Sequence, residues 1–171
     1  MVAVNEITTY KEGNMLWAAA TEAVDVAADS AWQGIDILLL RIIEIPTVGK
    51  TSVKIRRVSD DVPLTHVGNT LIAEAAMLGG ITKATMSMKI TESNPLQYLR
   101  LAVSMSSMHF ADIDFRIEPL DSGCQLTYRQ GFRTRQKSSQ ASGERVDKKI
   151  RELPETARIF NLWVDIAHAS R

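Results

Sequence analysis

The sequence predicts an α+β domain in which a curved, seven-stranded antiparallel sheet closes around a long C-terminal helix and an internal apolar cavity. Three observations lead there. Residues 71–132 read as four consecutive hairpins whose registers gather apolar side chains on one face, residues 146–167 carry a helical apolar stripe, and an alternating segment over 16–26 runs into a helical one.

The turns come first because they set the registers. Gly79-Gly80 lies between two alternating runs, and both glycines can take the positive φ of a two-residue hairpin turn. It sets Ala75 opposite Ala84 and Ala73 opposite Met86. Ser93-Asn94 before Pro95 predicts the next turn, with Met88 opposite Leu99 and Met86 opposite Leu101. A turn over 106–108 sets Met105 opposite His109, Val103 opposite Ala111 and Leu101 opposite Ile113. The last, over 119–122, sets Phe115 opposite Leu126 and Ile113 opposite Tyr128. Side chains alternate along a strand, so these registers sort residues onto two faces. One face is apolar and includes Met86, Met88, Leu101, Met105, Phe115 and Phe132. The other carries charges such as Arg100, Asp112, Asp114 and Arg129, with Ile72, Tyr98 and Phe110 as its apolar exceptions.

An antiparallel sheet with one wet face needs a cover for its dry one. Val146, Ile150, Leu153, Ala157, Phe160, Val164 and Ala167 recur in steps of four and three, broadened by Ile159, Trp163 and Ile166, which predicts the covering helix. Ser142 is its expected N-cap, and Pro154 predicts a kink or a break into two helices. Upstream, 16–26 reads as the first strand, Asp29 caps a helix through Trp32, Ile35 and Leu38, and 53–58 reads as a second strand. Residues 1–14 read as an arm or tail, leaving 15–171 as a single domain.

This order resembles the START and polyketide-cyclase superfamily, whose helix-grip fold curls an antiparallel sheet around a C-terminal helix. The resemblance rests on Val24-Asp25-Val26-Ala27-Ala28-Asp29-Ser30-Ala31-Trp32, on Val67-Gly68 before a strand, and on Phe115-Arg116-Ile117-Glu118-Pro119 with Ser122-Gly123 before the last strand. It implies a cavity that takes a small molecule and no one chemistry.

Composition narrows the classes. Twenty basic and 20 acidic residues leave no net charge to draw nucleic acid or an anionic membrane. No apolar run is long enough to span a bilayer, so membrane insertion is not expected, and one cysteine excludes an internal disulfide and fits a cytoplasmic location. Phosphate-binding glycine loops, paired cysteines and a helical His-Glu-x-x-His motif are missing from the sequence, and its three histidines are scattered, so neither a metal nor a cofactor is expected. The assembly is expected to be a monomer or a homodimer.

What remains is the polar minority of the dry face. His109, Tyr128 and Gln130 project with the apolar residues in these registers, either as a self-satisfied core network or as ligand contacts. As functional groups, His109 would move a proton near neutral pH and Tyr128 would donate to a carbonyl or enolate oxygen. Glu22 joins them if Val24 and Val26 point inward, as the resemblance implies, and an apolar setting would then make it a base; read the other way, Trp17 and Thr21 face the cavity and Glu22 is solvated. The expected lining is Gln130, Met86, Met88, Leu101, Met105, Phe115, Phe132, Phe160 and Trp163, with small alanines at 73, 75, 84 and 111 leaving space. The resemblance then implies a polyketide-cyclase-like enzyme that folds an apolar substrate and assists cyclisation or dehydration through Glu22, His109 and Tyr128. The alternatives are a noncatalytic carrier or sensor of a hydrophobic ligand, or a partner-binding module using the outer apolar residues.

Overall fold

The computed structural model describes residues 6–43, 53–57, 61–77, 82–106, 108–133 and 155–170. Its strands are β1 (Thr8–Glu12), β2 (Met15–Val24), β3 (Val53–Arg57), β4 (Thr70–Met77), β5 (Thr82–Asn94), β6 (Tyr98–Met105), β7 (Met108–Pro119) and β8 (Cys124–Arg133). Helix α1 (Ala28–Ile43) follows β2, and helix α2 (Glu155–Ala169) ends the chain. The strands form one antiparallel sheet in the order β1-β2-β8-β7-β6-β5-β4-β3. From β3 onward each strand pairs with the next in sequence, and the last of them, β8, returns beside β2.

The eighth strand comes from the segment expected to be an arm. Thr8, Tyr10 and Glu12 alternate with exposed or half-buried neighbours, and β1 pairs with β2 through Tyr10 opposite Trp17. An edge strand with little apolar content leaves only a faint trace in a hydrophobic pattern.

Registers follow the predicted turns at two of the four hairpins, β4–β5 and the body of β6–β7. Ala75 faces Ala84 and Ala73 faces Met86, as Gly79-Gly80 implies, although those two glycines lie outside the described residues. Between β5 and β6 the turn falls two residues later than expected: Asn94 pairs with Tyr98, and Met88 faces Val103 instead of Leu99. Leu96 takes φ +67° there, while the Gln97 amide donates to the Asn94 carbonyl at 3.0 Å. The displacement is an even number of residues, so the inward set is kept. β7 and β8 pair with Phe115 opposite Tyr128 and Ile113 opposite Gln130, two residues from the register expected there.

The core lies between the inner sheet face and the two helices. Ala31, Ile35, Leu38 and Leu39 of α1 are buried, as are Ile159, Phe160, Trp163, Val164, Ile166 and Ala167 of α2. The Trp163 indole N–H donates to the Ala31 carbonyl at 2.9 Å and locks the helices together. The Ala31 amide bonds the Ala27 carbonyl, so α1 starts ahead of Asp29, which sits in the first turn where its charge favours the helix dipole. The N-terminal half of the expected covering stripe, the cap at Ser142 and the break at Pro154 lie outside the described residues. No described helix is long and apolar enough to cross a membrane.

Candidate functional site

The inner face is built in cross-strand rows. Ala20, Tyr128, Phe115 and Leu99 stand side by side on β2, β8, β7 and β6, and the next row holds Ala18, Gln130, Ile113, Leu101 and Ile90. A further row runs Leu16, Phe132, Ala111, Val103, Met88 and Leu71. Beyond it, Met105 faces Met86 and Met86 faces Ala73.

These rows differ in packing. Phe115, Tyr128, Phe160 and Trp163 are fully buried, with Phe115 edge-on to Trp163 at 5.1 Å and tilted against Tyr128 at 5.2 Å. That end is filled with protein aromatic rings. Toward the other end, Met88 and Leu101 remain buried, Met86 and Phe132 are half-buried, and Met105 is 45% exposed at the tip of the β6–β7 hairpin.

Two polar groups sit between these ends. The Tyr128 hydroxyl donates to Gln130 Oε1 at 2.9 Å, two residues along the same strand. The pair is buried. Accepting this bond commits the Gln130 carbonyl oxygen and turns its amide N–H groups to other acceptors. Glu22 pairs with Leu126, so it belongs to the same face as Ala20 and Val24 and is half-buried there. The inward orientation of the first strand is therefore the observed one.

His109 goes elsewhere. A β-bulge between Val103 and Ser104 shifts the register so that His109 faces Ser104 instead of Met105, reversing its side relative to the expected alternation. Its Nε2 lies 2.7 Å from Asp112 Oδ1 and 3.2 Å from the Ala111 carbonyl, on the outer face. His109 and Gln130, expected as diagonal neighbours, belong to opposite faces.

The outer face it joins is not the simply solvated surface that the alternation predicted. Asp114 is fully buried and bonds Arg129, whose other guanidinium nitrogen donates to the Tyr10 hydroxyl at 2.7 Å. Arg100 donates to Asp112 at 2.9 Å and lies 3.7 Å from Asp114. Trp17 is buried with its ring 4.3 Å from the Arg129 guanidinium carbon and 5.7 Å from that of Arg100. Burial pushes the Asp114 carboxyl above the ordinary carboxylate range, against the pull of Arg129 and Arg100. Arg129 is held above its own ordinary value, with burial opposed by its bonds to Tyr10 and Asp114. The guanidinium is the firmer half of this pair, since it keeps its proton under such burial while the carboxylate's ionisation is what burial opposes.

Within the sheet, this cluster is built on a glycine opposite a tryptophan, a pairing that the sequence alone does not show. Trp17 faces Gly131, and a Cβ there would lie 2.7 Å from the indole Cδ2. The ring therefore lies flat over the strand between two arginines. Among the described residues, no three His, Cys, Asp or Glu side chains are placed to hold a metal ion. Cys124 is buried, donates to the Val26 carbonyl at 3.1 Å, and has its thiol pushed up by burial, consistent with a packing role.

No family model and no curated protein sequence matches this chain at a significant level. Solved structures do resemble it. Protein Ms6760 from Mycobacterium smegmatis shares 16% identity and a TM-score of 0.57 over 98% of this chain and 99% of its own. Ara h 8.0201 shares 12% identity and a TM-score of 0.58 over 91% of this chain and 99% of its own. SA2116 from Staphylococcus aureus, a protein of unknown function, shares 12% identity and a TM-score of 0.61 over 91% of this chain and 95% of its own. The chain has the helix-grip fold. At these identities the likeness establishes the fold alone.

Proposed function

We propose that this chain binds an apolar small molecule against the inner face of its sheet, with Gln130 and Tyr128 orienting the ligand's oxygen. The observation that carries this reading is the position of the Tyr128–Gln130 pair, buried on the border between the aromatic rows and the methionine and alanine rows. A polar pair in such a setting is costly unless its remaining donors are used, and a carbonyl or hydroxyl oxygen on the ligand would accept from the Gln130 amide. Methionines 86, 88 and 105 offer an adaptable apolar wall beside it, and Phe132 a flat one.

Cyclase-like catalysis is the second reading, and the inward, half-buried Glu22 favours it. Glu22 would act as base and Tyr128 as donor to an enolate oxygen, while the wall holds the substrate in a reactive conformation. His109 has no part in it, being on the opposite face. Binding alone needs fewer of the assigned groups, and it is the reading the geometry supports best.

The test pairs two probes of nearly one shape, 1-tetralone and tetralin, followed by tryptophan fluorescence. The ketone should bind about tenfold more tightly than the hydrocarbon, equivalent to about 1.4 kcal/mol for one hydrogen bond. Gln130→Leu should erase that difference. Equal binding of both probes to the native chain would sink the assignment of Gln130. Conversion of a substrate-like polyketone by the native chain, lost in Glu22→Gln, would move the conclusion to the catalytic reading.

A further inference from the structure

The bulge that turns His109 outward has a second effect, at the tip of the β6–β7 hairpin. Val103 faces Ala111 and Ser104 faces His109, so residue 110 is the extra one, and past it Met108 comes to face Met105. Strict alternation from Ala111 would send Met108 to the outer face; paired with Met105, it joins the inner one. Met105 in turn faces Met86 on β5. Met86, Met105 and Met108 therefore stand in one cross-strand row on β5, β6 and β7.

Core packing does not account for this row. Met86 is half-buried, Met105 is 45% exposed and Met108 is 68% exposed, whereas Met88, one row further in, is buried. The tip is nonetheless held in place. The Ser106 amide donates to the Thr85 carbonyl at 2.9 Å, extending the β5–β6 ladder beyond Met105, and Ser106 turns the chain at φ +48°. The thioethers are thus carried on a paired backbone and reached from solvent at the Met108 end, an arrangement that lowers the ordering cost of binding.

The chemistry of the row is uniform. Directly opposite residues of an antiparallel pair have Cβ atoms about 5 Å apart, and β5 and β7 flank β6 at about 5 Å on either side. An unbranched side chain with several rotatable bonds spans that separation, so the sulfurs of Met86 and Met108 can reach a point over Met105. A thioether is neutral and polarizable, a poor partner for hard cations such as magnesium and calcium and a good one for a soft cation. It also needs no deprotonation to bind a metal, unlike a thiol, an imidazole or a carboxylate.

We propose that Met86, Met105 and Met108 form a three-thioether site for a soft monovalent metal ion, Cu(I). The ion enters from the exposed Met108 side, and Met86 closes the site toward the interior. Met86 and Met105 also belong to the apolar wall of the inner-face site, but the metal needs neither Tyr128 nor Gln130, so the two sites stand or fall separately.

The experiment labels the methionine methyl groups of the full chain with carbon-13 and titrates Ag(I), a redox-inert stand-in for Cu(I), in chloride-free buffer, followed by nuclear magnetic resonance. The methyl signals of Met86, Met105 and Met108 should move together and level off together, while that of Met15, buried on β2, stays fixed. The chain's single cysteine, Cys124, is a competing soft ligand at the far end of β8 from this row; in a parallel titration Cys124→Ala removes it and should leave the three methyl shifts in place. Met105→Leu keeps the size of the side chain and removes its sulfur, and should weaken binding by roughly tenfold or more. Because no ligand takes up a proton, affinity should change by less than about threefold between about pH 5 and about pH 7. Movement of Met108 alone would mean a single exposed thioether catching silver and would overturn the proposal. So would a Met105→Leu affinity within twofold of native, or a steep loss of affinity toward acid.

Discussion

At the residue scale, Gly131 is packed hard against Trp17. An added Cβ would come within 2.7–2.9 Å of three indole atoms, and the ring is pinned between Arg129 and Arg100. Gly131→Ala should therefore destabilise the fold by about 1–3 kcal/mol, the ordinary cost of overpacking, measured as a lowered urea midpoint at unchanged slope. An unchanged midpoint would show that Trp17 moves aside without cost. Asp114 tests the charged half of the same cluster. Asp114→Ala leaves the Arg129 guanidinium largely buried without its carboxylate partner, and should cost about 3–5 kcal/mol. Restoring balance with Arg129→Ala in the same chain should recover part of that loss. A double-mutant cycle with no coupling would refute the view that these two charges stabilise one another.

At the scale of elements, one bulge decides the fate of the most suggestive residue. Strict alternation along β7 puts His109 with Ala111, Ile113 and Phe115, and hence on the inner face. The bulge at Val103/Ser104 consumes one residue of register and moves His109 beside Asp112. His109→Ala should consequently leave 1-tetralone affinity within twofold of native, while altering the outer cluster. A loss of tenfold or more would return His109 to the inner site. Bulges are hard to read because they are fixed by the pairing of two strands, and neither strand's own periodicity records them. The later turn between β5 and β6 was hidden for a related reason: Leu96 adopts a left-handed conformation that its residue type does not advertise. By contrast, Tyr128 and Gln130 were legible on the inner face, because Leu126 and Phe132 repeat the same parity on an uninterrupted strand, whereas Glu22 was left open in the sequence and is turned inward by the pairing of β2 with β8.

For the whole molecule, the fold was readable because the meander from β3 to β8 pairs consecutive strands and its apolar face leaves one topological solution, a helix laid across it. The burial of the outer cluster was not readable, since it depends on β1 and β2 bringing Tyr10 and Trp17 over charges that alternation assigns to solvent. Burial across the domain also sets how its stability responds to alkali. The Cys124 thiol and the Tyr98 phenol are both raised above their ordinary values, chiefly by desolvation. For each, the unfolded chain loses its proton first as pH rises. Their contribution to stability is thus fully present below the unfolded value and is lost as pH climbs through the folded one. Stability should fall once pH passes the ordinary thiol value of about 8.5, with a limiting slope of about 1.4 kcal/mol per pH unit for one proton. Cys124→Ala removes the earlier of these two titrations. Urea midpoints collected from neutral pH into the alkaline range should show a lower plateau for the variant, because a buried thiol and its bond to Val26 are gone, but a shallower initial descent. Parallel descents in both chains would mean that Cys124 titrates in the folded state as it does in the unfolded one, and that its burial carries no linkage to pH.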